Sequence, residues 1–224
     1  MRRLHTVGKH EKFVASGVYK HVELGVATGL REHWSIHDVG GAQFIRVDVD
    51  GRDYDGRSIL IETLRNPAGQ FERVDEHHYS PAAAKPQKIS HTFFDDHVEL
   101  IGLLDNQRIE ETVMMPAGYG LFSHSWLLTG MTIQHTLQQT GTIMLLRLDM
   151  QTASFAWTRV EAAVESLGQK SIQIGERDVT AQCYRWQNNM IACVDPFGVI
   201  LCAETPAAQI VLTQYARRPE PKPA

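Results

Sequence analysis

The sequence predicts a mainly β protein, a single large curved antiparallel sheet forming a half-closed or closed barrel with one or two short helices as lid. Three observations carry this prediction. Over residues 17–216 apolar and polar positions alternate between turn signals, the pattern of strands with one buried face. The cleanest stretch is 44–51, where Ile45, Val47 and Val49 point one way and Arg46, Asp48 and Asp50 the other. The connections are short and rich in Gly, Asp, Asn and Pro, which gives hairpins and hence a meander. With so little helix to cover it, a sheet of this size must close or fold on itself, and a closed sheet encloses a cavity.

Residues 1–16 are polar and unpatterned, a segment expected to cover one end of the sheet or to be mobile. One β-barrel-like domain then spans 17–216. Strands are expected at 18–24, 29–37, 43–49, 58–64, 71–79, 88–95 and 98–104, separated by turns such as Asp38-Val39-Gly40-Gly41, Asp50-Gly51, Asp55-Gly56, Asn66-Pro67-Ala68-Gly69 and Asp105-Asn106. Residues 80–86 form a loop whose two prolines deny ladder donors. A strand at 108–115 ends at Pro116-Ala117-Gly118-Tyr119-Gly120. Ser123 or Ser125 can then cap a short helix through Trp126, Leu127 and Leu128, the expected lid. A strand follows at 141–150. Residues 153–167 fit both a helical stripe (Trp157, Val160, Val164, Leu167) and strand alternation (Val160, Ala162, Val164), and the strand reading is preferred. Further strands are expected at 171–174, 180–186, 190–194, 198–204 and 209–216, and the tail 217–224 is disordered by composition.

The 224 residues are 43% hydrophobic, enough for a sizeable core, and the net charge is −4 from 22 basic and 26 acidic residues. No basic stripe tracks a phosphate backbone, so nucleic acid is not an expected partner. No window approaches the roughly 18 apolar residues of a membrane span, and the N-terminal charges are followed by no apolar run. The expectation is a soluble cytoplasmic protein. Cys183, Cys193 and Cys202 are an odd number without a C-x-x-C pair and lie in strand-like segments, so they are expected to be core thiols rather than a disulfide or a metal site.

The runs 175–186 (GERDVTAQCYRW), 192–201 (ACVDPFGVIL) and 210–213 (IVLT), preceded by VMMPAG at 113–118, resemble the closing strands and central turn of uncharacterised bacterial proteins with a curved, half-closed sheet. That group is similar in architecture to the lipoprotein-carrier (LolA-like) fold and to the violacein-pathway enzyme VioE. The resemblance covers roughly residues 98–215. It implies a sheet wrapped around a hydrophobic small molecule, used for transport or for a reaction needing no cofactor. Its motifs are hairpin signatures, so no functional residue transfers with it.

Eleven histidines are many for this length, and several cluster: His33 with His37, His77 with His78, His91 with His97, and His124 before the expected helix. Histidine titrates near neutral pH and serves as acid, base or ligand. On a strand His33, Ser35 and His37 share one face, and Glu32, Trp34 and Ile36 the other. Either set can be the inward one. His91, Phe93, Asp95 and His97 align if their strand runs on, giving an acid/base pair beside an aromatic wall; alternatively Asp95-Asp96 is an exposed turn. A zinc or iron site from His91, Asp95 and His97 would need a fourth ligand, and no spacing such as H-E-x-x-H occurs, so neither metal nor other cofactor is expected. Arg46, Asp48, Glu62, Arg73 and Asp75 form a cross-strand ladder that is either a solvated face or a cavity lining with a buried carboxylate of raised pKa. Phe122 joins the aromatic residues near the presumed mouth. G-x-S-x-G and Gly-rich phosphate loops are absent.

The functional expectation is a cofactor-free isomerase, cyclase or lyase acting by proton transfer on a hydrophobic small molecule, an aromatic or terpenoid metabolite. His33, Asp48, His91 and Asp95 are its catalytic candidates, and Trp34, Phe93, Tyr119, Trp126, Tyr184 and Trp186 its ligand-binding wall. The rival is a non-catalytic carrier or sensor of a lipid-like ligand. A third reading pairs an open sheet edge with another subunit, a homodimer included.

Overall fold

The alternation resolves into hairpins between chain neighbours. The computed structural model describes residues 1–82, 85–104, 107–114, 119–122, 125–138, 142–149 and 156–218. Among them β1 (Lys12–Glu23), β2 (Val26–Val39), β3 (Ala42–Gly51), β4 (Arg57–Arg65), β5 (Phe71–Tyr79), β6 (Gln87–Phe93), β7 (His97–Leu104) and β8 (Gln107–Met114) form one meander. A second meander contains β12 (Glu165–Ile174), β13 (Arg177–Trp186), β14 (Met190–Val194), β15 (Ile200–Glu204) and β16 (Gln209–Arg217). Pairing of β1 with β16 joins the two into a 13-stranded antiparallel sheet with β12 and β8 at its edges. The sheet is therefore curved and barrel-like without being closed by hydrogen bonds. Between the meanders lie β9 (Tyr119–Phe122), α1 (Trp126–Gln138), β10 (Thr142–Asp149) and β11 (Ala156–Ala163), whose strands make a small separate sheet. Residues 156–163 and 165–174 are strand, the preferred reading of the ambiguous stretch, with a break at Val164. The expected features at Asp105-Asn106, 116–118, Ser123, His124, 153–155 and 219–224 lie outside the described residues.

Two corrections concern the ends and the helix. β1 begins at Lys12, so only residues 1–11 precede the sheet, and they lie across β3 and β4. α1 runs to Gln138, well past Leu128, and Leu127, Leu128, Met131, Ile133 and Thr136 are all buried. Those positions cover most of the helix circumference, leaving Trp126, Gln134 and Leu137 half-buried and Gln138 exposed on the remaining side, and a helix buried on most of its faces belongs inside a protein. The helix expected as a lid is thus part of the core. Gly130 explains its close seating: a Cβ there would meet the Gly198 carbonyl oxygen at 2.4 Å.

Register assigns the faces. Trp34 opposes Val47, Val47 opposes Ile61, Ile61 opposes Glu76, and Glu76 opposes Ile89, which makes this row core-facing. The alternate row, Ser35–Arg46–Glu62–Asp75–Ser90, lies on the outer face. Trp34 packs against Tyr19 and Tyr215, each with ring centroids 6.1 Å away, and crowds Gly17, where a Cβ would stand 2.4 Å from its ring.

Candidate functional site

The outer face carries a buried charge network, although outer faces of sheets are usually solvated. Arg46 donates from Nη1 and Nη2 to the Glu11 carboxylate at 2.7 and 2.9 Å, lies 3.3 Å from Glu62 through Nε, and covers the Phe44 ring. Its side chain is 2% exposed, because the 1–11 segment covers it. Asp48 accepts the Arg2 backbone N–H at 2.6 Å and its guanidinium at 2.7 Å. Glu62 Oε1 accepts the Leu4 and His5 amides at 3.1 and 2.9 Å, and Oε2 takes the His5 Nδ1–H at 2.6 Å. Buried carboxylates thus hold the N-terminal segment by its own backbone donors. The hydrogen bonds from Arg46 hold the Glu11 carboxyl at about 2 despite its burial, and burial together with the Arg46 charge pushes the His37 imidazole below its ordinary value. Beyond His5 an open groove of about 580 Å³ continues over β5–β8, bordered by Arg73, Asp75, His77, Lys88 and Arg108.

The core-facing side carries two charged devices. Glu32, fully buried on β2, accepts Ser125 Oγ–H at 2.8 Å and the Trp126 and Leu127 amides at 2.8 and 3.0 Å. It therefore satisfies the first donors of α1, while Ser125 Oγ accepts the Leu128 amide as N-cap. Burial pushes its carboxyl up to about 7. The second device lies on β5 and β6. His78 Nε2–H donates to Glu76 Oε2 at 2.7 Å, with both side chains largely buried. His91, 2% exposed, stands beside them, since Val74 opposes His91 and Glu76 opposes Ile89 on the same face. Burial holds the His91 imidazole below its ordinary pKa, with the Glu76 charge opposing. Phe93 follows on the same face, also buried.

The expected site residues divide between these environments. His33 and Asp48 are cross-strand partners on the outer face, whereas His91 and Phe93 face the core. β6 ends at Phe93, so Asp95 sits exposed in the turn before β7 and does not pair with His91. The neighbouring His97 instead bonds Asp96 at 2.6 Å and stacks on Phe94. Trp34 and Trp186 are core residues. Trp126 is half-buried and donates its indole N–H to His21 Nε2 at 3.1 Å, and burial lowers the His21 imidazole to about 4. Tyr184 lines a hollow of about 210 Å³ between α1 and β13. Tyr119 and Phe122 lie on β9, their side chains outside the described set. Sequence reasoning missed Glu32, Glu76 and Glu11 as functional groups. Glu32 carried one signal, a carboxylate in phase with Trp34 and Ile36.

The cysteines need a further correction. Cys183 and Cys193 are bridged, and Cys202 is a half-buried thiol. The bridged pair stands directly opposite on β13 and β14, with Cα atoms 4.0 Å apart. Facing positions on paired strands bring side chains together irrespective of sequence spacing. No group of His, Cys, Asp and Glu among the described residues is arranged to hold a metal.

Fold and geometry thus define a barrel-like protein with one large curved antiparallel sheet around a buried helix. A crystal structure of a beta-barrel-like protein of the domain of unknown function DUF1849 from Brucella abortus is similar over 93% of this chain and 99% of that chain, with TM-score 0.52 and 8% identity. At that identity the likeness is one of fold. No protein-family model matches the sequence, and no curated protein does. No helix among the described residues is long and apolar enough to cross a membrane.

Proposed function

We propose that the chain is a cofactor-free enzyme that binds an apolar small molecule against the core-facing side of β5–β7 and moves a proton on it. The observation that carries this reading is the Glu76–His78 pair at 2.7 Å beside buried His91, on a face otherwise made of Val74, Ile89, Phe93, Val98 and Leu100. A carboxylate bound to an imidazole fixes its tautomer and orients its ring for proton exchange. In this arrangement Glu76 orients His78, while neutral His91 accepts or relays the proton and Phe93 supplies a flat wall. The chemistry is that of an isomerase, cyclase or lyase. The predominance of apolar side chains around the pair favours a second reading, a carrier of a lipid-like ligand. The Cys183–Cys193 bridge supports an oxidising compartment in place of the cytoplasm expected from sequence, since reducing compartments keep thiols free.

The test incubates purified protein and its His91→Ala and Glu76→Gln variants with cell extract and identifies retained and altered compounds by mass spectrometry. The enzyme reading expects a compound that wild type converts and the variants retain unchanged. Retention without conversion by wild type selects the carrier, and no retention by any form removes both readings.

A further inference from the structure

The three cysteines occupy one cross-strand row. Cys183 on β13 opposes Cys193 on β14, and Cys193 opposes Cys202 on β15. Directly opposed residues project to the same side of a sheet, with Cβ atoms about 4.5–5.5 Å apart. The Cys202 thiol therefore flanks the bridge on the side away from Cys183. The Cα separation of 4.0 Å for Cys183 and Cys193 marks the narrow type of antiparallel pair. In a regular antiparallel ladder a residue narrowly paired on one side is widely paired on the other, at about 5.5 Å, which is within the span a disulfide bridges. Cys193 and Cys202 are the last pair of that ladder before the register shift that sets Val194 opposite Ile200. The present bridge joins residues ten apart, and a Cys193–Cys202 bridge would close a loop one residue shorter, so loop-closure entropy does not choose between them.

We propose that Cys183, Cys193 and Cys202 form an intramolecular thiol–disulfide exchange site, in which the bridge moves between β13–β14 and β14–β15. The Cys202 thiol loses its proton and the thiolate attacks Cys193 Sγ. The Cys193–Cys183 bond breaks, its electron pair leaves on Cys183 Sγ, and Cys183 takes up a proton. One disulfide and one thiol exist before and after, so no oxidant or reductant is consumed. Burial raises the Cys202 thiol above its ordinary value, and two charged groups act on it in addition: the Lys170 ammonium on β12 favours the thiolate and the Glu204 carboxylate on β15 opposes it. Burial therefore keeps the exchange slow at neutral pH. With the bridge on β14–β15, the edge hairpin β12–β13 loses its covalent link to β14 and is held by its ladder hydrogen bonds and by the packing of Ile174, Ala181 and Trp186.

Tryptic cleavage reads the outcome directly, because Cys183 falls on peptide 178–185 while Cys193 and Cys202 share peptide 186–217. Oxidised full-length chain is held at about pH 9 without reductant, quenched in acid, labelled with N-ethylmaleimide and digested. Exchange predicts that peptide 178–185 appears carrying the label while 186–217 becomes unlabelled and internally bridged. Recovery of 178–185 only in linkage to 186–217, with the label always on Cys202, overturns the proposal. So does labelled 178–185 in Cys202→Ser, where the attacking thiol is gone. A Cys183→Ser variant oxidised in glutathione buffer is expected to form a monomer with no titratable thiol, and two titratable thiols or a linked dimer count against the site. Should that variant fail to fold, the wild-type peptide map remains decisive.

Discussion

Replacing Glu32 by Gln tests whether burial or the helix N-terminus decides the charge of this carboxyl. Oε1 accepts Ser125 Oγ–H and the Leu127 amide, and Oε2 the Trp126 amide. Gln keeps the first two bonds and sets an NH2 against the third, which costs roughly 2 kcal/mol for one buried donor left unsatisfied. In the wild type the folded pKa of about 7 lies above the ordinary 4.5, so the folded state binds a proton that the unfolded chain releases. That stability is fully present below pH 4.5 and is lost as pH rises through 7. Linkage puts the loss between pH 5 and pH 8 at roughly 2.5 kcal/mol. Gln does not titrate, so the variant is roughly 2 kcal/mol less stable at pH 5 and close to parity at pH 8. At about 2–4 °C per kcal/mol for a chain of this length, the melting temperature falls by roughly 4–8 °C at pH 5 and hardly changes at pH 8. Thermal melts followed by circular dichroism read this difference. A deficit equal at both pH values would refute the reasoning, because it would mean that the three donors keep Glu32 ionised throughout.

Four further outcomes follow from other contacts. Glu11→Gln is expected to lose about 2–3 kcal/mol at pH 7, because the folded pKa of about 2 lies below the ordinary 4.5. That difference is present above pH 4.5 and vanishes as pH falls through 2, which denaturant melts across this range would read. Gly17→Ala, whose Cβ would stand 2.4 Å from the Trp34 ring, is expected to cost roughly 3 kcal/mol through displacement of the indole, read as a lower urea midpoint at unchanged slope. Reducing the Cys183–Cys193 bridge removes a short loop constraint of roughly 3 kcal/mol, while Cys202→Ser without reductant leaves the melting temperature within about 2 °C.

The strands were legible because alternation and turn chemistry are local. Val47 and Asp48 announce opposite faces by position alone, and Asn66-Pro67-Ala68-Gly69 announces its turn by composition. The helix was legible only at its start. Ser125 signals the cap, but the run to Gln138 holds four threonines or glycines among its apolar residues, and a helix buried on most of its faces has only a narrow side, at Trp126, Gln134, Leu137 and Gln138, to mark its period. The disulfide left no signal, because its two cysteines are brought together by the β13–β14 register and not by any spacing that reads as a motif.

The candidate site was hidden for a more general reason. Alternation states that two faces differ without stating which one turns inward, and in β5 the sequence Glu72-Arg73-Val74-Asp75-Glu76-His77-His78 places ionisable groups on both. Pairing of Val74 with His91 and of Glu76 with Ile89 decides it, sending Glu76, His78 and His91 to the core side and Asp75 and His77 to the outer side. The same rule separates Asp48 from His91, so an acid/base pair drawn from those two would have to act through the sheet. Proton transfer needs contact within hydrogen-bond reach. Glu76 and His78 meet that requirement on the apolar side, whereas the outer carboxylates Asp48 and Glu62 already accept from the backbone and side chains of Arg2 and His5 and from the Leu4 amide. The outer network is therefore a clasp for the N-terminal segment, and the search for chemistry belongs on the face that β5 and β6 turn toward the core.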